Sequence, residues 1–240
     1  VASVQSLEIS DNLSELNEAK MSKDERLREG TESESVAAMT TSEFYQATIG
    51  SQSLRLPIVE LSSDLGVALL ISVDHGVGFS EQAGRDLAEK LRSLEVEVIV
   101  SVATMGIPLA IETSRCLGID DYLILHKTRK IHLANGYSHV VKSITTENEQ
   151  RLFLDRARAH IISDKRVAVI DDVISTGGSM AAAVNLVREV GGSPVALGCM
   201  ATEGTGWKEE LGDDVELVVS LGAMPLFRRT TDGNLEESWT

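Results

Sequence analysis

Aromatic residues, proline, cysteine and positive charge are all scarce in this 240-residue chain. The two cysteines, Cys116 and Cys199, form no C-x-x-C pair, so neither a disulfide framework nor a cysteine metal site is encoded. Lysine and arginine total 22 against 37 acids, a formal net charge of −15. A surface this acidic repels phosphate backbones, and no nucleic-acid partner is expected. No run of 18 apolar residues occurs, so no membrane span or membrane partner is expected. The N-terminus lacks the basic-then-apolar pattern of a secretory signal. Together these absences favour a cytoplasmic location. What remains is ordinary globular material, 42% apolar, long enough for one large domain with an appendage.

The stretch Val167–Ser179, V-A-V-I-D-D-V-I-S-T-G-G-S, stands out. Four apolar residues, Val167 to Ile170, read as a buried strand with Asp171 and Asp172 at its C-terminal end. The small-residue loop Ser175-Thr176-Gly177-Gly178-Ser179 follows, and a helical pattern starts at Met180. Strand, glycine loop and helix N-terminus bind phosphate well, because backbone N–H groups and the helix dipole both face the anion. Paired acids just upstream suit the vicinal hydroxyls of a sugar. The loop therefore fits a ribose 5-phosphate held at both ends. It is neither the G-x-x-x-x-G-K-[ST] loop of nucleotide hydrolases nor the G-x-G-x-x-G dinucleotide turn.

In chain order, residues 1–42 form an acidic appendage with a weak leucine stripe at Leu7, Leu13 and Leu16. Phe44–Ile49, Leu54–Leu61 and Val67–Val73 read as a β-meander, with Pro57 demoting the middle run to an edge strand. A helix capped by Ser80 carries Ala83, Leu87, Leu91 and Leu94 on one face. Val96–Val102 is a strand, Ala103–Gly106 a short loop, and Pro108 opens a helix that ends at Gly118. Tyr122–Leu125 is the next strand. Residues 126–150 interrupt the rhythm with Lys127, Arg129, Lys130 and Lys142 in an otherwise acidic protein, as functional loops do. Arg151–Leu154, Val195–Met200 and Val215–Leu221 are further strands, with the loop 201–207 after the second. Alternating strands and helices imply a parallel sheet with ligands beyond its C-terminal edge.

The apolar strand, two acids and T-G-G-S resemble the phosphoribosyl pyrophosphate (PRPP) motif of type I phosphoribosyltransferases. The wording around V-A-T-M-G-I-P-L and L-I-L-H-K-T-R-K is similar to that of purine transferases of the archaeal hypoxanthine type. The resemblance covers roughly residues 66–230. It implies an α/β fold: a central, mainly parallel sheet flanked by helices, plus a small hood from residues 43–73 and 222–240. Residues 127–150 would be the lid loop of a domain spanning 43–240.

The resemblance also implies roles. Asp171 and Asp172 would hold the ribose hydroxyls, and Ser175, Thr176, Gly177, Gly178 and Ser179 the 5-phosphate. Ala103, Thr104, Met105 and Gly106 would contact pyrophosphate. Lys127, Arg129 and Lys130 would neutralise it together with Mg²⁺, bound through PRPP without a protein cage. Thr202, Glu203 and Phe227 are the candidates for contact with a base. The partners so implied are PRPP, a purine (adenine or hypoxanthine) and a second copy in a homodimer. One departure is clear: the family's acid in the pyrophosphate loop is replaced by Ala103. That change favours the competing reading, a PRPP-binding regulator without turnover; an orotate transferase is the third.

Overall fold

The computed structural model describes residues 43–128, 136–141 and 150–240. The appendage 1–42 and the candidate residues Arg129 and Lys130 lie outside them.

A central six-stranded sheet organises the molecule. Its strands are β4 (Val98–Val102), β5 (Tyr122–Leu125), β8 (Arg166–Ile174), β9 (Ser193–Glu203), β10 (Val218–Ser220) and β11 (Ala223–Met224). The order is β10-β9-β8-β4-β5, with β11 also beside β9, and every pair is parallel. Parallel strands are covered on both faces, so they read as unbroken apolar runs. All five residues of β4 are buried, as are Val167 to Asp171 of β8. Helices α1 (Gly76–Leu91), α2 (Ile107–Leu117) and α3 (Gly178–Glu189) cover the sheet. One face packs Val100, Val102, Val167 and Val169 against Ala183, Val184 and Val187 of α3. The other packs Ile99, Ala168 and Ile170 against Leu87, Leu109 and Ala110. This is the α/β fold expected from the alternation.

A second sheet of five antiparallel strands runs β1-β2-β3-β12-β13: β1 (Phe44–Ile49), β2 (Gln52–Glu60), β3 (Leu65–Ala68), β12 (Leu226–Arg229) and β13 (Leu235–Ser238). Its hairpin turn is pinned to α1. The Asp86 carboxylate accepts from the Ser51 N–H at 2.6 Å and from the Ser51 hydroxyl at 2.8 Å. A short hairpin of β6 (Tyr137–Val141) and β7 (Gln150–Leu154) joins the edge of the central sheet, where His126 and Phe153 exchange two backbone hydrogen bonds of 3.0 and 2.9 Å.

Several expectations change. Pro57 is not on an edge strand, since β2 pairs with both β1 and β3. Proline is tolerated because β3 ends at Ala68, where the Leu69 N–H donates to Pro57 O at 2.9 Å and the missing donor falls beyond the ladder. Helix α1 starts at Gly76 rather than after Ser80, whose hydroxyl reaches back to Gly76 O at 3.4 Å. Strand β8 runs through both aspartates to Ile174, because β9 continues beside it to pair Val173 with Ala201 and Ile174 with Thr202. Thr202 and Glu203 are consequently strand, not loop. Helix α3 begins at Gly178, two residues before Met180. Residues 137–141 of the expected lid loop are a strand. The expected strand Val215–Leu221 is divided between the end of a 3₁₀ turn, Gly212–Leu217, and the three-residue β10.

Candidate active site

Two pieces of chain, at Lys127 and at 171–180, form a cavity at the C-terminal edge of the central sheet. Lys127, Asp171, Asp172 and the loop 175–177 with Ser179 and Met180 line this cavity of about 140 Å³. Gly177 caps α3 from a left-handed conformation, φ 84°, which favours glycine. A Cβ there would also come within 3.0 Å of Trp207 O. The Trp207 indole is itself fixed, donating to Gly204 O at 3.1 Å. The short helix α4 (Trp207–Leu211) thus sets the path of the loop. Ser175 and Thr176 are exposed beside the cavity, and the Ser175 side chain is hydrogen-bonded to Glu203.

The two acids differ. Asp171 is 8% exposed, and its Oδ1 accepts the Asp172 N–H at 3.0 Å. Burial, followed by the neighbouring Asp172 charge, pushes the Asp171 carboxyl well above the ordinary carboxylate range, against the pull of Lys127. Asp172 is half-buried and lines the cavity. In register with Asp171, Cys199 has its thiol pushed up to about 12 by burial, which makes it inert.

The loop 103–106 lies against these acids. A Cβ on Gly106 would sit 2.9 Å from both Cα and Oδ1 of Asp171, so this backbone approach requires glycine. The loop is held from its other side by the buried Ser72, whose hydroxyl donates to Met105 O at 2.8 Å. The Ala103 N–H donates to Leu125 O at 2.9 Å, and the Ala103–Thr104 peptide is cis. Sequence reasoning missed Ser72; nothing in its surroundings signals a contact 33 residues away.

Of the base-contact candidates, Thr202 is 6% exposed at the end of β9, and its N–H donates to Gly222 O. Glu203 is half-buried beside Ser175 and Asp172. Burial raises its carboxyl, the Ser175 side chain opposes this, and the Asp172 charge adds to the rise. Phe227 is not brought to the cavity. It is 4% exposed and meets Tyr45 edge-on, with centroids 5.7 Å apart, inside the core behind the small sheet. Trp207 likewise packs rather than faces solvent.

Among the described residues no cluster of three or more His, Cys, Asp or Glu side chains is placed to hold a metal. The donor set suits a hard cation carried on substrate phosphates, with water completing its shell, rather than one caged by protein.

A glycine-containing βα loop beside paired acids, on a parallel sheet with a side hairpin, defines a class. The family model of the phosphoribosyl transferase domain matches residues 79–224, and the chain belongs to that family. It is 29% identical over 143 residues to the orotate phosphoribosyltransferase of Caldanaerobacter subterraneus subsp. tengcongensis, covering 60% of this chain and 63% of that protein. It thus spans less than two thirds of that relative. It is 33% identical over 134 residues to a hypoxanthine/guanine phosphoribosyltransferase of Methanocella paludicola, 55% of this chain and 66% of that one. Among solved structures, adenine phosphoribosyltransferase of Rhodothermus marinus matches with a TM-score of 0.53 at 20% identity, over 63% of this chain and 82% of that one. The Trypanosoma brucei enzyme in complex with AMP, pyrophosphate and ribose-5-phosphate matches with a TM-score of 0.53 at 18% identity, over 75% of each chain. At these identities the structural likeness is one of fold.

Proposed function

We propose that the protein transfers the phosphoribosyl group of PRPP to a purine, adenine or hypoxanthine, giving the nucleoside monophosphate and pyrophosphate. The carrying observation is the cavity that brings Lys127, Asp171 and Asp172 to the loop 175–179 at the N-terminus of α3. The loop N–H groups and hydroxyls hold the 5-phosphate. Asp171 and Asp172 receive the ribose hydroxyls, and their field favours positive charge on the ring as the glycosidic bond opens. Lys127, with Arg129 and Lys130 as proposed partners, draws the departing pyrophosphate away. When bound through PRPP, Mg²⁺ supplies further neutralisation of that leaving group. The backbone of 103–106, braced by Ser72 and Asp171, offers its N–H groups to the same pyrophosphate. The work is mainly positioning and electrostatics. A base would enter between Glu203 and the small sheet, which acts as a hood; Thr202 shapes that end of β9.

The homodimer is part of the same reading. It is supported by the apolar surface of Val73, Val77, Ile107, Pro108 and Ile111 around a cavity of about 340 Å³, with Val77 79% exposed. Transfer to orotate is the second reading, favoured by the 29% identity to an orotate enzyme.

The test is nucleotide formation with Mg²⁺ and PRPP against adenine, hypoxanthine, guanine, xanthine and orotate. Turnover with adenine or hypoxanthine is expected. Turnover with orotate alone selects the second reading. PRPP binding without turnover on any base would overturn the enzyme and leave a PRPP-responsive regulator.

A further inference from the structure

Ser101 has no part in the site as described above. It lies on β4 in register with Ile170, is fully buried, and its hydroxyl has no hydrogen-bond partner among the described residues. Buried polar groups are nearly always paired, and each exception asks for a reason. Thr113 and Ser114 on α2 share the property, but Thr113 lies where α2 meets Gly84 of α1. Ser101 differs in its neighbour. A Cβ on Gly106 would sit 2.8 Å from Ser101 Oγ and 2.9 Å from Asp171 Oδ1. The hydroxyl and the carboxylate therefore flank one α-carbon, and only the bare glycine leaves the space between them open.

We propose that Ser101 is a positioning residue: its hydroxyl, unpaired among the described residues, turns to donate to Oδ1 of Asp171 when that carboxyl ionises, and holds the carboxylate in the orientation that receives the ribose hydroxyl. An ionised carboxylate oxygen accepts two donors, so the existing bond from the Asp172 N–H does not compete. The surroundings leave Asp171 few other helpers. Asp172 on its own strand repels it, and Lys127 attracts it. Cys199 on β9 is a neutral thiol, and the loop 103–106 carries no titratable group. In this setting one O–H bond decides how readily the acid ionises.

The kinetic test rests on the functional reading above; a second readout does not. In Ser101→Ala and in Ser101→Cys, which keeps the size but is a weak donor, kcat/KM for PRPP falls about tenfold on the acidic side of the pH profile and approaches wild type on the alkaline side. Ser101→Thr, which keeps the hydroxyl, restores the profile. In the same full-length variants, the ¹³C resonance of the Asp171 carboxyl titrates at higher pH in Ala and Cys than in wild type and Thr. A uniform rate loss at every pH, with unchanged Asp171 titration, would reduce Ser101 to a packing residue and overturn the proposal. If wild type turns over no base at all, the functional reading fails, and the carboxyl titration alone decides the role of Ser101.

Discussion

The loops 103–106 and 175–179 leave neighbouring strands, β4 and β8, at the same edge of the same sheet, yet they are built by opposite rules. In the second, small residues turn outward: Ser175 and Thr176 are exposed, Gly177 adopts a left-handed turn, and a cavity opens in front of α3. In the first, the backbone is clamped between Asp171 and the Ser72 hydroxyl, and Gly106 is needed for close approach rather than for an unusual turn, its φ being −72°. One loop borders an open cavity, which the proposed function fills with the 5-phosphate. The other is shaped to stay still beside it. Under the proposed function both are needed, because the anion is bound where a rigid neighbour already defines the path of the leaving group.

The comparison breaks most severely at Gly106. Gly106→Ala drives a methyl into the Asp171 backbone, which cannot yield as a flexible side chain would. We expect a loss of about 1–3 kcal/mol in stability together with turnover below detection, read by thermal unfolding and kcat. The receptive side is tested by Asp172→Asn and Lys127→Ala. Each lowers turnover about 100-fold with the melting temperature unchanged, and normal rates in both would sink the site assignment.

Asp171→Asn separates function from stability. The folded-state value of Asp171 lies above its unfolded one, so its contribution to stability is full below the unfolded value and is lost as pH rises through the folded value. Asn removes that penalty. The variant melts higher than wild type at about pH 8, shows no gain at about pH 4, and turns over poorly. The smallest effect is expected at Ser72→Ala, which removes one hydrogen bond behind the clamped loop. It costs about 1 kcal/mol of stability and raises KM for PRPP with kcat nearly kept.

These two loops also mark what the sequence made legible. The apolar runs of β4 and β8, the paired acids and the glycine-rich turn are local signals, and the structure places them together. Where a strand stops is not local: β8 continues through Asp171 and Asp172 because β9 pairs alongside it, which no pattern within 167–179 announces. The same holds for Pro57, made harmless by the point at which β3 ends. Ser80 resembled a cap, but the helix had already begun over the preceding 3₁₀ turn at Ser72–His75. Asp171, which meets Gly106, and Ser72, which holds the neighbouring Met105, come from separate segments. Such contacts are fixed by tertiary packing and leave no spacing to read.

The paired backbone bonds between His126 and Phe153 have a consequence for how this protein can vary. Lys127 follows that junction directly, so the main-chain clasp helps to set its place beside the aspartates. The clasp is made by backbone groups, and proline at either position could not supply the donor it needs. Elsewhere the hairpin is more constrained, because Val141, Leu152 and Leu154 are buried in the core.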